Sequence, residues 1–197
     1  MGRPFIVAFV GVPGSGKTTF AKKLAERLQA VILSSDGLRM AMWQSLEAIA
    51  EAHSSPSERS KNNKLLFNGM NYTTQQILKA GNSVVFDANS NHRAERQEKH
   101  DIALEQGAIS VVVRIQVPYE VSLERLQSRK EGHDSRRFDK EKAAGVIDHF
   151  AAEIEEPNED ENVIYIDGEM SYDEQYAHFE ASCKQLFEAS EQADQQA

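Results

Sequence analysis

The sequence predicts an α/β protein with a parallel β-sheet that is covered on both faces by helices. Five short apolar runs alternate with segments of helical periodicity, and alternation of this kind is typical of parallel sheets. A glycine-rich turn joins the first run directly to the clearest of these helices. The five predicted strands lie at Phe5–Val10, Val31–Leu33, Ser83–Phe86, Ile109–Val117 and Val163–Ile166.

The first strand and the first helix are the best defined of the predicted elements. The run FIVAFV at Phe5–Val10 is too short for the core of a signal peptide and leads straight into the glycine-rich turn. We therefore interpret it as a buried strand. In the helix that follows, Phe20, Leu24 and Leu28 repeat every four residues, with charged residues on the opposite face.

Later regions depart from this simple alternation. Met40–Ala80 is predicted as two helices interrupted by the polar sequence HSSPSERSKNN, and a further helix is expected over Lys140–Ile154. The charged sequence RKEGHDSRRFDK, at residues 129–140, is where we predict a mobile lid. The tail at residues 190–197 is polar and is expected to be flexible, which leaves residues 1–189 as a single domain.

Composition limits the classes of function. The net charge of −9 at pH 7 disfavours a long polynucleotide partner, because such partners usually require a basic surface, although a local basic groove stays open. The single cysteine, Cys183, cannot form an internal disulfide. The sequence has no transmembrane run, so we expect a cytoplasmic protein without a membrane partner. The six histidines form no zinc motif.

The strongest motif is GVPGSGKT at Gly11–Thr18, which fits the pattern G-x-x-x-x-G-K-[ST] in full. Backbone N–H groups in such a loop approach phosphates, and the Lys17 ammonium can reach the β- and γ-phosphates. The flanking strand and helix argue against an accidental match. We therefore predict a site for ATP and Mg²⁺, with the Thr18 hydroxyl on the metal. Its residues are Gly11, Gly14, Ser15, Gly16, Lys17, Thr18 and Thr19.

Carboxylates follow the second and third predicted strands, where open α/β sheets bind their ligands. Asp36 and Arg39 are predicted to face the γ-phosphate, with Asp36 accepting the proton of an attacking hydroxyl and Arg39 holding the acceptor. Asp87 is predicted to order a magnesium-bound water or the acceptor hydroxyl. The alternative for both aspartates is helix capping, a task that Asn89 or Asn91 could also perform for the helix after Asp87.

A family resemblance rests on GVPGSGKTTFA, on DGLR at Asp36–Arg39 and on DANSNHRAER at Asp87–Arg96. Together they resemble the P-loop kinases that include the kinase domain of polynucleotide 5′-kinase, with zeta toxins, gluconate kinases and chloramphenicol phosphotransferases as wider relatives. The resemblance implies a three-layer αβα sandwich with strand order 2-3-1-4-5. It also implies that Asp36 is the general base, that Arg39, Asp87 and Asn89 contact the acceptor, and that the loop at Gly168 holds adenine. No phosphatase domain follows, which weighs against end repair of nucleic acids.

The predicted lid brings arginines to the phosphates. Arg125 and Arg129 share a helix face, and cations that arrive on lid closure would stabilise the transferring phosphoryl group. We assign Arg125 to ATP binding and Arg129 to catalysis, whereas the choice between Arg136 and Arg137 stays open. The alternative is a solvated basic helix paired with Glu124 and Glu131.

Two further features receive structural interpretations. Trp43, Phe67 and Tyr72 are predicted to pack in the core rather than to stack on a ligand. The acidic run EIEEPNEDEN, at residues 153–162, is predicted to be a solvated connector.

The sequence thus predicts an ATP- and Mg²⁺-dependent kinase whose acceptor hydroxyl belongs to a small metabolite, a nucleoside or a nucleic-acid 5′ end. The rival functions are an ATP-driven switch protein and a toxin-type kinase. The Asp36–Arg39 pair favours a kinase over a switch, because a switch needs no base for an acceptor.

Overall fold

The structure, a computed structural model, describes residues 3–129 and 139–194, and describes side chains as far as residue 187. Five parallel strands form one sheet in the order β2-β3-β1-β4-β5, which confirms the predicted fold. The strands are β1 (Phe5–Val10), β2 (Val31–Ser34), β3 (Val84–Asn89), β4 (Ile109–Gln116) and β5 (Val163–Asp167). The helices are α1 (Lys17–Leu28), α2 (Ser35–Trp43), α3 (Leu46–Ala52), α4 (Pro56–Lys79), α5 (Arg93–Glu105), α6 (Tyr119–Ser128), α7 (Lys140–Ala152) and α8 (Tyr172–Asp194).

Helices cover both faces of the sheet because side chains alternate along each strand. Val7 and Phe9 of β1 belong to a core shared with α1 and α8, whereas Ile6 belongs to a second core shared with α4 and α5. All six residues of β1 are buried, as expected for the central strand of a three-layer sandwich. Each large apolar side chain that is buried contributes about 1.5–3 kcal/mol to the stability of the fold. The two cores therefore hold the strand ends in fixed positions.

The helical region between β2 and β3 differs from its prediction. The predicted polar break is confined to residues 53–55, and the rest of HSSPSERSKNN belongs to α4. Ser55 caps α4 by accepting a hydrogen bond from Glu58 N, and Pro56 occupies the first turn, where its missing N–H has no helical partner. Tyr72 is 64% exposed, so its prediction as a core residue was wrong. Phe67, in contrast, packs against the second core.

The C-terminal part of the chain also departs from the predicted boundaries. Helix α8 continues to Asp194, so most of the tail predicted to be flexible from residue 190 is helical. The sequence EASEQAD explains this difference, because Ala, Glu and Gln favour helices. Residues 130–138, which hold most of the predicted lid together with Glu131, Arg136 and Arg137, lie outside the described residues. Within the described ranges, no helix has the length and apolar character needed to cross a bilayer.

Candidate active site

The glycine-rich loop follows β1 and ends at α1. Gly14 and Gly16 have φ values of +86° and +104°, which lie in the left-handed region that favours glycine. A Cβ on Gly14 would stand 2.6 Å from the backbone oxygen of Ser122 in α6, so the helix packs directly on the loop. Lys17 Nζ donates to the backbone oxygens of Gly11 (2.7 Å) and Val12 (2.8 Å), which holds the ammonium against its own loop.

The pKa of Lys17 is lowered to about 7. Burial is the main cause, because desolvation disfavours the ammonium, and the positive charges of Arg114 and Arg129 act in the same direction. Asp87 opposes this shift. A bound polyphosphate would favour the charged ammonium form, so Lys17 is expected to take up a proton when phosphate binds.

Asp87 lies in β3 directly opposite Ser34 of β2, and Thr18 of α1 points at it. Thr18 Oγ1 donates to Asp87 Oδ1 at 3.0 Å. Burial raises the pKa of Asp87, and the nearby Asp36 carboxylate raises it further, whereas hydrogen bonds from Thr18 and Ser34 lower it. A divalent cation would relieve this electrostatic cost.

A hydroxyl and a carboxylate fit Mg²⁺, which prefers oxygen ligands and commonly takes one or two protein groups plus phosphates and waters. Thr18 and Asp87 are the residues that would hold it. The residues that the structure describes include no group of three or more His, Cys, Asp or Glu side chains able to hold a metal ion. The pair therefore suits a metal that arrives with nucleotide phosphates.

Asp36 and Arg39 form an ion pair at the start of α2, with Arg39 Nη1 3.0 Å from Asp36 Oδ1. The helix begins at Ser35, and its cap is Ser34, whose Oγ accepts from Gly37 N at 3.3 Å. The alternative that Asp36 caps this helix was therefore wrong. Its side chain is 65% exposed and lines the cavity described below, while Arg39 also donates to Asn63 Oδ1 at 3.0 Å.

The capping alternative for Asp87 also fails, because Asp87 lies inside β3 and His92 is the N-cap residue of α5. Asn89, at the end of β3, lines the cavity. Asn91 has a different contact: its Oδ1 accepts from Gly11 N at 3.1 Å in a buried position. Neither Asn89 nor Asn91 is the N-cap residue of α5.

The two lid arginines that the structure describes have different surroundings. Arg125 Nη2 donates to the backbone oxygen of Gly168 at 2.9 Å, and its Nη1 reaches the backbone oxygen of Ser15 at 3.4 Å. It therefore joins the glycine-rich loop to the loop after β5 rather than pairing with Glu124. Arg129 follows α6 and is close enough to Lys17 for its charge to lower the pKa of that lysine.

One cavity of about 1150 Å³ brings the predicted site together. Single small-ligand sites have volumes of roughly 300–1,000 Å³, so this one has room for a nucleotide and a second molecule. Gly11, whose N–H donates to Asn91, does not line the cavity, but every other predicted site residue does. These are Gly14, Ser15, Gly16, Lys17, Thr18, Thr19, Asp36, Arg39, Asp87, Asn89, Arg125 and Arg129.

Known proteins support this assignment of fold and loop. A family described as AAA domain (AAA_33) matches residues 6–157, which is more than half of the chain. The chain belongs to the AAA_33 family. No curated protein matches it.

Solved kinase structures share the fold of this AAA_33 protein. A sugar kinase from Janibacter sp. HTCC2649 has a TM-score of 0.66 at 18% identity, with 92% of this chain and 95% of that chain covered. A gluconokinase from Sinorhizobium meliloti 1021 has a TM-score of 0.62 at 18% identity, with 95% of each chain covered. The Mycobacterium tuberculosis APS kinase, solved with AMPPNP and APS, has a TM-score of 0.61 at 18% identity, with 93% and 99% covered.

The acidic run of this AAA_33 protein is a largely exposed connector between α7 and β5, as predicted, but three of its carboxylates pair with arginines of distant elements. Glu156 pairs with Arg114, Asp160 with Arg93, and Glu161 forms two hydrogen bonds with the buried Arg96. Arg96 also donates to the backbone oxygens of Ser90 and Asn91. These arginine partners come from distant elements, and no charge pattern near the run in the sequence predicts them.

Sequence reasoning also missed residues of the cavity wall opposite the glycine-rich loop. His53, Arg59 and Asn63 come from the segment between β2 and β3, His149 lies in the C-terminal half of α7, and Glu153 is the C-cap residue of that helix. The signal available in the sequence was the polar break itself, HSSPSERSKNN, which contains all three of the residues between β2 and β3. The particular side chains depend on how α3 and α4 fold back over the sheet.

Proposed function

We propose that this protein is a cytoplasmic, ATP- and Mg²⁺-dependent phosphotransferase that acts on a hydroxyl group. One observation carries the proposal: the Asp36–Arg39 pair lines the same cavity as Lys17 and the Thr18–Asp87 pair. A site for nucleotide phosphates thus opens onto a carboxylate and a guanidinium that nucleotide binding alone does not require. The named structural neighbours, a sugar kinase, a gluconokinase and an APS kinase, support the same class of reaction.

The chain's own residues have separate tasks in this reaction. Lys17 and the loop N–H groups bind the β- and γ-phosphates. Thr18 and Asp87 would hold Mg²⁺, which would neutralise charge on the phosphates. Asp36 accepts the proton of the acceptor hydroxyl as its oxygen bonds to the γ-phosphorus. The bond from that phosphorus to the β,γ-bridging oxygen breaks, and ADP leaves with the bonding electrons. Arg125 and Arg129 supply positive charge near the phosphates.

The acceptor belongs to one of three classes: a small metabolite, a nucleoside or the 5′ end of a nucleic acid. The short motifs DGLR and DANSNHRAER resemble polynucleotide 5′-kinase, which supports the third class, whereas the net charge of −9 favours small molecules. We place the small-molecule classes first.

An acceptor screen tests the proposal. ADP release is measured with Mg²⁺-ATP and pools of sugars, sugar acids, nucleosides, and RNA or DNA with 5′-hydroxyl ends, in parallel for the wild type and Lys17→Ala. We expect acceptor-dependent ADP release that Lys17→Ala abolishes. ATP hydrolysis that no acceptor stimulates would contradict the proposal and would favour the switch. Growth arrest on expression would instead point to a toxin-type kinase.

A further inference from the structure

The side of the cavity formed by α2, α3 and α4, here called the acceptor wall, carries an unusual set of cations. Arg39 of α2 and Arg59 of α4 both line the cavity. They lie on one continuous surface, because Arg39 Nη2 donates to Asn63 Oδ1 at 3.0 Å and Asn63 is one helical turn beyond Arg59. Apolar side chains, including Met40, Ile49 and Phe67, complete this wall.

The acceptor wall has more positive than negative charge. Asp36 faces Arg39, which leaves Arg59 without a carboxylate partner among the described residues. The described contact of its guanidinium is a long one, 3.5 Å from Nη2 to the backbone oxygen of His53. Arg39 also has N–H groups left to bind a ligand, because a guanidinium has five of them and the two described hydrogen bonds of Arg39 use two.

His53 adds a polar atom to the same wall. Its Nδ1 lies 2.7 Å from the backbone oxygen of Ile49, and a carbonyl oxygen can only accept, so Nδ1 carries the proton. Nε2 is buried and has no hydrogen-bond partner within residues 3–129 and 139–187. A buried polar atom without a hydrogen-bond partner destabilises the fold unless a ligand supplies the missing hydrogen bond.

The carboxylates across the cavity are already engaged. Glu95 Oε2 accepts from the backbone N of His92 in the capping box of α5. Glu153 Oε1 lies 3.4 Å from His149 Nε2. These two carboxylates therefore do not offset the positive charge of the acceptor wall, which lies beside the proposed base.

We propose that the acceptor is an anionic alcohol, a compound that carries a carboxylate or phosphate group in addition to the hydroxyl that is phosphorylated. Arg59 binds the anionic group together with the free N–H groups of Arg39, and this places the hydroxyl next to Asp36. A guanidinium suits both anions, since its N–H groups match pairs of carboxylate or phosphate oxygens. This inference rests on the proposed function for its acceptor site, but it can be tested by binding alone.

Matched probes separate charge from shape. D-gluconate is compared with D-glucose, and guanosine 3′-monophosphate with guanosine, first as acceptors in ADP release and then as ligands by calorimetry. The calorimetric samples are saturated with Mg²⁺ and a non-hydrolysable ATP analogue, so that the phosphate loop is occupied. Three proteins are used: the wild type, Arg59→Gln, and Lys64→Gln as the control. Lys64 has the same charge on the same helix and is exposed like Arg59, but it does not line the cavity.

At least one anionic probe is expected to exceed its neutral partner about tenfold to hundredfold in kcat/KM and in affinity, the usual effect of a charged hydrogen bond. Arg59→Gln should reduce that preference to within about twofold, whereas Lys64→Gln should keep it. If anionic probes bind in an Arg59-dependent manner but no acceptor of the whole screen is phosphorylated, the anion site stands and the proposed function fails. Equal use of neutral and anionic probes, binding that is insensitive to Arg59, or no binding of either anionic probe overturns the inference.

Discussion

The substitution Asp36→Asn separates a catalytic carboxylate from a structural one. Asparagine keeps the size of the side chain but cannot take the hydroxyl proton in the same way, so phosphate transfer should fall by roughly 10²- to 10⁴-fold. The structure also predicts that folding is hardly affected. Ser34 rather than Asp36 caps α2, and the Asp36 side chain is 65% exposed.

The expected cost in stability follows from the lost contact. An exposed ion pair such as Asp36–Arg39 contributes about 0.2–1 kcal/mol, and 1 kcal/mol corresponds to roughly 2–4 °C in Tm for a chain of this size. The Tm of Asp36→Asn should therefore lie within about 4 °C of the wild type. ATP affinity should stay within a few-fold, because the phosphate contacts come from other residues.

Thermal melts, ATP titration and product formation should be measured on the same samples. An additional variant, Ser34→Ala, serves as the capping control for stability only, because it removes the hydrogen bond to Gly37 N and should cost about 1 kcal/mol. Its turnover is not compared, since Ser34 also forms a hydrogen bond with Asp87. Normal transfer by folded Asp36→Asn would refute the assignment of Asp36 as the base. A loss of Tm much larger than that of Ser34→Ala would show that the residue has a structural role.

Four further predictions address the remaining parts of the site. Lys17→Ala should abolish transfer. The pKa of about 7 leaves Lys17 mostly neutral at pH 8 until phosphate binds, so calorimetry in buffers of different ionisation enthalpy should show that the wild type takes up as much as about one proton per ATP. The variant should show no proton uptake through this residue. Arg129→Ala should lower kcat by about 10²- to 10³-fold with little change in the KM for ATP, because the charge of Arg129 acts mainly in the transition state. An unchanged kcat with a raised KM would show that Arg129 contacts ATP in the ground state instead. Asp87→Asn should keep or raise the Tm, because burial raises the pKa of this carboxyl, and its ionised form therefore destabilises the fold above the unfolded pKa. Its Mg²⁺-dependent turnover should fall. A clear loss of Tm would contradict this prediction. Asn91→Ala should lower the free energy of unfolding by about 1–3 kcal/mol in denaturant titrations and weaken ATP binding, whereas Asn91→Asp keeps an oxygen for Gly11 N and should lose less stability.

The sequence predicted the parts of the molecule that depend on short-range patterns. Gly11–Thr18 was identified as a phosphate loop because its glycines, lysine and threonine occur at fixed spacing between a strand and a helix. Asp36 and Asp87 were predicted to approach this loop because the carboxyl ends of neighbouring parallel strands meet at one edge of the sheet. The structure places both in the same cavity.

Long-range contacts were beyond the reach of these patterns. Asn91 holds Gly11 across 80 residues of chain, and Arg96 pairs with Glu161 across 65. The acidic run is an exposed connector as predicted, but nothing near it in the sequence reveals that Arg93, Arg96 and Arg114 lie beside it in the fold. His53 and Arg59 likewise enter the cavity through the packing of α3 and α4, which periodicity alone does not orient.

The fate of the γ-phosphoryl group is the most direct test of the central claim. The wild type is incubated with γ-labelled ATP, Mg²⁺ and the best acceptor from the screen, and the labelled products are separated into inorganic phosphate and phosphorylated acceptor. The account predicts that the label enters the acceptor in proportion to the ADP formed, and that Asp36→Asn slows this transfer while ATP affinity is retained. Label found as inorganic phosphate alone, at a rate that neither the acceptor nor Asp36→Asn changes, would contradict it.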